Sequence, residues 1–547
     1  MAAASATRGE VSRAQVEEGI AQGVEFLIGR QEADGHWGWK PGEVPDERFK
    51  VGQTALVVLA LQHSGSKRPE VQLAIKKGLS YILQQPAETM TYSAGVVEQV
   101  LYFDSPTAYP GPVSAYAWMV CGGQKREGPL TGSWGYELPK LPQGWQSKGV
   151  GTLQPLPGLQ KVLWSDNSNG QFAILALTFA QRAGFQVPRV VWENARAYYT
   201  AAQHKDGGWD YFSDQYRATL PENDERRKPP AATMSMTLAG TVSIYLCDEM
   251  LADKGHKVCK TPASNESHEA GLKWIGEHWA PRMGMGSYGW YAAERLGLLI
   301  GYSEFGGHDW YQQGVEDVIP VVGDMSNSPD WWGSTAKTSF AVLFLSRGRN
   351  PIIINKLKRE GDWNLHRYDL SHLTDYISGP GQKPCQWRIV TLTAPVDYLL
   401  KVPMLWISGH DALAFTAEGK AKLKEYVEKG GTILAEDCCS KKPFDESFRA
   451  MLKEFWPDKE LTEVPKTHEI YTSYRKVAGA PTLLGLTVGG GEERLGVIYL
   501  PKGISCKWEA AGPDSRAMMD MGMDIYLHVD KAFKQMKAEA AEKDKPM

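Results

Sequence analysis

"QHKDGGWDYF", residues 203–212, decides how the first half of this chain is read. The stretch closes an amphipathic segment with a Gln, crosses a short polar turn, and re-enters apolar sequence through Gly207 and Trp209. A second copy, "RQEADGHWGW", stands at 30–39. A Gln and a Gly-x-Trp in the same order, twice, is a repeat signal, and a repeat speaks to architecture before any single element does.

Working outward, six segments begin with small or polar residues and then turn strongly apolar: 51–62, 92–103, 168–181, 235–247, 288–301 and 334–346. Helices apolar on all sides belong inside a fold. Six amphipathic stretches alternate with them, over about 12–30, 70–85, 111–123, 189–203, 267–280 and 308–320. Strict alternation of inner and outer helices predicts an all-α (α/α)6 toroid over residues 1–350. Gly, Pro and Trp collect where an outer helix hands over to an inner one, as in "SNSPDWWGS" (326–334). Loops gathered at one end of a central cavity are where such a fold puts a ligand.

The bulk numbers narrow the class. Lys and Arg number 60 against 64 Asp and Glu, a net of −4, so no nucleic-acid partner is expected. No apolar run approaches the roughly 18 residues of a membrane helix. The start "MAAASATRGEVS" has no apolar core, so a secretory signal is not expected in it, although a mature exported protein is compatible with it. Seven Cys stand at 121, 247, 259, 385, 438, 439 and 506, an odd number. No CxxC or HExxH spacing occurs, so no metal and no cofactor are expected.

The segments "GVEFLIGRQEADGHW" (23–37) and "ARAYYTAAQHKDGGW" (195–209) resemble the QW repeat of the squalene cyclase and prenyltransferase toroid superfamily. The resemblance implies that Gln31 with Trp37, and Gln203 with Trp209, lock helix ends, the amide satisfying helix-end N–H groups and the indole covering it. It speaks for fold rather than activity. The family's DxDD acid, its Asp-Cys-Thr-Ala sequence, its Asp-x-Cys zinc ligands and its thioester Gly-Cys-Gly-Glu-Gln are all absent. What remains is a cavity whose expected lining is Glu98, Asp166, Asn169, Glu294 and Arg295, with Trp290, Trp331 and Trp332 as an aromatic wall. Glu294 and Arg295 are more simply read as partners of neighbouring charges.

After about residue 350 the pattern changes. "WRIVTLT" (387–393), "VPMLWISG" (402–409), "TILAEDCC" (432–439) and "RLGVIYLP" (494–501) read as strands, and helical stretches separate them. "SRGRNPIIINKLKREGDW" (346–363) reads as the linker. The alternation predicts an α/β doubly wound parallel sheet over 351–547. "PMLWISGHDAL" (403–413), "LKEYVEKGGTILAEDCC" (423–439) and "HEIY" (468–471) make this half similar to flavodoxin-like, class I glutamine amidotransferase-like domains found behind such toroids in uncharacterised bacterial proteins.

In amidotransferase relatives the nucleophile follows the strand after the "GG", which the resemblance maps to Cys438 or Cys439. His410 ends the neighbouring strand, His468 follows later, and Glu436 or Asp437 is an expected orienter of an imidazole. The glycines that permit the strained elbow are missing. The reading that results is a non-catalytic binding or scaffold protein. Its toroid holds a small hydrophobic or carbohydrate-like ligand, and its second domain docks a protein partner. The alternatives are a terpenoid cyclase-like enzyme with a non-standard acid and a Cys-dependent hydrolase or amidotransferase-like enzyme.

Overall fold

A computed structural model of the chain describes residues 11–38, 47–147, 149–151, 153, 164–228, 230–252, 265–280, 285–323, 333–379, 382–488 and 494–543. It divides into two compact units, one chiefly of the chain up to Arg349, the other chiefly of Asn350 onward with Leu298–Tyr302.

The first unit is helical: α1 (Arg13–Ile28), α2 (Lys50–His63), α3 (Pro69–Gln84), α4 (Thr91–Asp104), α5 (Pro110–Gly123), α6 (Asn167–Arg182), α7 (Arg189–Ala202), α8 (Asp214–Ala218), α9 (Met234–Leu251), α10 (Glu266–His278), α11 (Gly286–Ile300), α12 (Trp310–Val318) and α13 (Gly333–Gly348). A small hairpin, β1 (Glu304–Phe305) and β2 (His308–Asp309), precedes α12. Each of the twelve stretches expected to be helical is a helix. Along α2, α4, α6 and α9 nearly every residue is buried, as their unbroken apolar sequence requires. They pack in series, α2 on α4, α4 on α6 and α6 on α9, while α13 packs on α2. Helix α3 instead buries one face, Val71, Ala74, Ile75, Gly78, Leu79 and Ile82, the spacing of an amphipathic outer helix.

The Gln-to-Trp turns show why the repeat is there. Trp37 Nε1–H donates to Leu27 O near the end of α1 at 2.7 Å, and its backbone N–H donates to Thr54 Oγ1 in α2 at 3.2 Å. Trp209 repeats both bonds, to Tyr199 O at 3.0 Å and Thr237 Oγ1 at 3.1 Å. The indole therefore caps the helix before it, and its own backbone fastens to the helix after it. The glutamines work differently from the expectation. Their amide N–H groups donate to carbonyls, Gln31 to Gly35 and Ala74 at 2.9 Å each, and Gln203 to Gly207 at 2.8 Å and Ser267 at 2.9 Å. They tie the turn to the next outer helix by its C=O groups rather than capping N–H groups.

A third copy escaped the sequence reading. Gln124 Nε2 donates to Val191 O and Trp134 Nε1–H to Val120 O, both at 2.8 Å. Gly35, Gly132 and Gly207 share a left-handed φ of 97, 95 and 97°. A Cβ on each would fall within 2.0–2.6 Å of a helix carbonyl, Lys77, Asn194 and Ala270 respectively. Those carbonyls sit three residues beyond the ones held by Gln31, Gln124 and Gln203. Four extra residues between Gln124 and Trp134 hide the match in the sequence. All three indoles are fully buried. Each contributes about 4–6 kcal/mol of gross apolar burial.

The second unit is α/β. Its strands are β3 (Ile352–Leu357), β4 (Gln386–Val390), β5 (Met404–Gly409), β6 (Thr432–Asp437), β7 (Thr462–Glu463), β8 (Leu484–Thr487) and β9 (Leu495–Leu500). They form one sheet in the order β4-β3-β5-β6-β9-β8-β7. Strands β3, β4, β5, β6 and β9 pair in parallel, and β8 and β7 add an antiparallel edge. Its helices are α14 (Asp369–Ile377), α15 (Val396–Leu399), α16 (Ala417–Glu428), α17 (Lys442–Phe455), α18 (Ser505–Ala510) and α19 (Arg516–Lys543). Side chains alternate across the sheet, which buries both faces. Met404 and Trp406 join the core under α14, α18 and α19, whereas Leu405 and Ile407 join the core under α15, α16 and α17.

The sequence "IIINKL" is strand β3, not linker, and it lies between β4 and β5. Its Asn355 and Lys356 disguise it, yet both are buried. Asn355 Oδ1 accepts from Arg388 Nε–H at 2.8 Å, and Lys356 Nζ donates to Asp369 Oδ1 at 2.7 Å. Polar residues survive in a central strand because each one is paired.

Candidate thiol and imidazole site

Parallel strands share one carboxyl edge, so the loops that follow β3, β5, β6 and β9 meet there. They bring His366, His410, Cys438, Cys439 and Cys506 together from four separate segments. His366 Nε2 lies 3.2 Å from Cys438 Sγ and 3.4 Å from Cys506 Sγ. Cys439 Sγ lies 3.8 Å from Cys438 Sγ. The donor atoms of His366, Cys438 and Cys506 all lie within 4.8 Å of one another, and so do those of His410, Cys438 and Cys439. Cys438 is buried and belongs to both sets, Cys506 is partly buried, and Cys439 is exposed.

Charged side chains brace the loops that carry the donors. Lys356, inside β3, donates to His366 O at 2.6 Å and so holds the loop after that strand. Asp362 accepts from the backbone N–H groups of His410 and, at 3.1 Å, Asp411, and Arg359 Nη2 braces it at 2.8 Å. Glu436, at the end of β6, accepts from the N–H groups of Ile504 at 2.7 Å and Ser505 at 2.9 Å, and from the Ser505 hydroxyl. That carboxylate anchors the first turn of α18, where Cys506 sits. Asp437 Oδ1 accepts from Lys441 N–H at 2.5 Å and closes the turn that carries Cys438 and Cys439. Supporting contacts of this kind hold a donor set ready before anything binds.

The turn itself is strained. Cys439 and Ser440 take left-handed φ values of 63° and 53°, at about 1–2 kcal/mol each for residues with a Cβ. The missing elbow glycines therefore do not prevent the turn. Ser440 Oγ holds it by donating to Pro501 O at 3.1 Å.

The electrostatics follow from the packing. Burial alone would lower the His366 imidazole, but its hydrogen bond to Cys506 and the negative charges of Cys506, Glu436 and Asp369 outweigh that and raise it to about 9. Burial lowers His410. Burial also raises the Glu436 carboxyl, against the pull of His366 and the Ser505 and Ile504 donors. Asp437 is pushed up to about 6, first by burial.

Several expected site residues stand elsewhere. Glu436 is turned to α18 and orients no imidazole by hydrogen bond. His468 accepts from Ile470 N–H at 3.2 Å, packs edge-on against His528 at 5.1 Å, and is in neither donor set. In the helical unit, Asp166 caps α6 by accepting from Asn169 N–H at 2.7 Å, and the Asn169 amide donates to its other oxygen. Glu294 pairs with Arg347 at 3.2 Å, and Arg295 stacks on Tyr291 at 4.2 Å. Glu98 faces Tyr116, Ala117 and Cys121 of outer helix α5. Trp290 is buried against Trp279 and Phe344. Trp331 and Trp332 lie outside the described residues. A hollow of about 510 Å³ beside Tyr211 and Phe212 is flanked by Arg217 and Arg226, whose charges pair with Asp210 and Asp224.

His366 and Cys506 were missed because no local spacing marks them. The usable signal was topological: each follows a parallel strand, and β3 had been read as linker. A family model described as a domain of unknown function (DUF4159) matches residues 353–539, a span that contains all five donors. No curated protein matches the chain. No helix among the described residues is long and apolar enough to cross a membrane.

Proposed function

We propose that this chain is a binding protein whose ligand site is the carboxyl edge of the α/β unit, with the helical unit as scaffold. One observation carries the reading: five thiol and imidazole groups from four segments converge, on loops braced by charged side chains. The strand order supports it. Counting the five parallel strands in chain order gives 2-1-3-4-5, the flavodoxin-like order, in which ligands bind at the carboxyl crevice where the order reverses. His366 and His410 follow the two strands that flank that reversal. For the helical unit the finer reading is an (α/α)6 toroid, supported by the packing of α13 on α2 and by the three Gln–Gly–Trp locks.

Native mass spectrometry of the full chain tests the site. We expect a mass excess that denaturation releases and that Cys438→Ser and His366→Ala both lose. No excess, or an excess that both variants keep, contradicts the reading.

A second reading has its own observation. His366 Nε2 at 3.2 Å from Cys438 Sγ is within reach of proton transfer, so a thiol nucleophile fits the same edge. Rapid iodoacetamide labelling of Cys438 that slows in His366→Ala supports it, with Cys438→Ala and Cys439→Ala as controls. Slow labelling in the unaltered protein sinks it.

A further inference from the structure

The ligand class can be narrowed, on the reading that the carboxyl edge is a binding site. We infer that His366, Cys438 and Cys506 bind a soft divalent cation of the zinc class, with the fourth coordination position open toward Cys439 and His410. Nothing in the local sequence announces such a site, because the three donors come from three different strand ends.

The argument starts from donor spacing. Zinc bonds of about 2.3 Å to sulfur and about 2.0–2.1 Å to nitrogen, at tetrahedral angles, put N and S about 3.6 Å apart and two S about 3.8 Å apart. His366 Nε2 stands 3.2 and 3.4 Å from the two sulfurs, and the sulfurs of Cys438 and Cys506 lie within 4.8 Å of each other. Small shifts inward or outward bring the set to coordination length. One nitrogen faces two sulfurs, so the hydrogen bonds that join them can give way to one shared ion.

A second observation is independent of the first set. His410 Nε2 is buried and has no hydrogen-bond partner among the described residues. Buried polar atoms are nearly always satisfied, so an orphan nitrogen on an imidazole that reaches two thiols points to a missing partner. His410 shares Cys438 with the first set, so its imidazole stands at the same cluster as Cys439.

Donor chemistry selects the ion. Two thiols and an imidazole, with no carboxylate oxygen in either set, favour zinc-class or copper(I) ions over magnesium or calcium. The ion takes Cys438 and Cys506 as thiolates and His366 as the neutral imidazole, so every proton these three groups carry leaves to solvent, and the two thiolates balance the divalent charge. No redox step is involved. Three protein ligands and an open fourth position describe a site that exchanges its ion or holds a further ligand, in contrast to a closed structural site. The exposed Cys439 sits at the opening, where an incoming ion meets it first.

Cobalt(II) titration of the reduced, chelator-stripped full chain is the test. We expect one equivalent to produce thiolate-to-cobalt charge-transfer absorption and tetrahedral d–d bands, both abolished by one equivalent of zinc. Cys506→Ser, a partly exposed change at the start of α18, should weaken binding at least about 10-fold, since even supporting-contact losses cost 10–100-fold. Cys385→Ser, which leaves the cluster intact, should titrate like the unaltered protein. No absorption in the unaltered chain overturns the inference, and so does equal loss in Cys506→Ser and Cys385→Ser. If cobalt fails while native mass spectrometry still finds a Cys438-dependent ligand, the metal is wrong and the binding edge stands.

Discussion

His366 Nε2 and Cys438 Sγ lie 3.2 Å apart although 72 residues of chain separate them. The proximity is created by strand order, since β5 lies between β3 and β6 in the sheet, and the loop after β3 must reach across β5 to meet the turn after β6. Lys356 makes that reach definite by holding the His366 carbonyl from inside β3.

Lys356→Met should therefore be costly. It strands the buried Asp369 carboxylate and frees the His366 carbonyl together. Removing one partner of a buried pair costs about 3–5 kcal/mol, while replacing both by apolar groups costs much less. Urea unfolding should show a lower midpoint for Lys356→Met and recovery of most of the loss in Lys356→Met/Asp369→Leu. Equal midpoints for the single and double variants would refute the pairing argument.

The three Gln–Gly–Trp locks should be energetically interchangeable. Trp37→Phe, Trp134→Phe and Trp209→Phe each remove one indole N–H bond to a helix carbonyl, worth about 1 kcal/mol, and leave that carbonyl to find another donor. Similar losses in thermal unfolding are expected at all three. A neutral Trp134→Phe beside two costly partners would show that the third copy is incidental.

How much of this was legible in the sequence follows from where the information lies. The helices were legible because the inner ones are apolar on all sides and the outer ones, such as α3, bury one face at helical spacing, and that alternation is local information. Strand β3 was not, because Asn355 and Lys356 read as linker until Arg388 and Asp369 are known to pair with them. The third lock was hidden by an insertion that leaves every contact in place. Cys438 and His410 were found by following strands to their carboxyl ends. Cys506 needed the sheet order, which no spacing in the chain encodes.

Glu98 predicts a pH dependence. It is buried among α5 side chains without a cationic partner among the described residues, and burial holds its carboxyl well above the usual 4.5. The folded state therefore keeps this proton at pH values where the unfolded state has lost it. The contribution is intact below about pH 4.5 and is lost as pH rises toward the folded value, by at most about 1.4 kcal/mol per pH unit. The stability advantage of Glu98→Gln over the unaltered protein should grow from pH 5 to pH 8 in matched denaturant titrations. A gap that stays constant across that range would contradict a neutral buried acid.

The most direct test of the account is the first coordination shell of a zinc-loaded full chain, measured by X-ray absorption at the zinc edge. The prediction is two sulfurs at about 2.3 Å and at least one imidazole nitrogen at about 2.0–2.1 Å. One sulfur should be lost in Cys506→Ser. A shell of oxygen and nitrogen alone, or one unchanged by Cys506→Ser, would contradict the claim that the strand ends of the α/β unit build a soft-metal site.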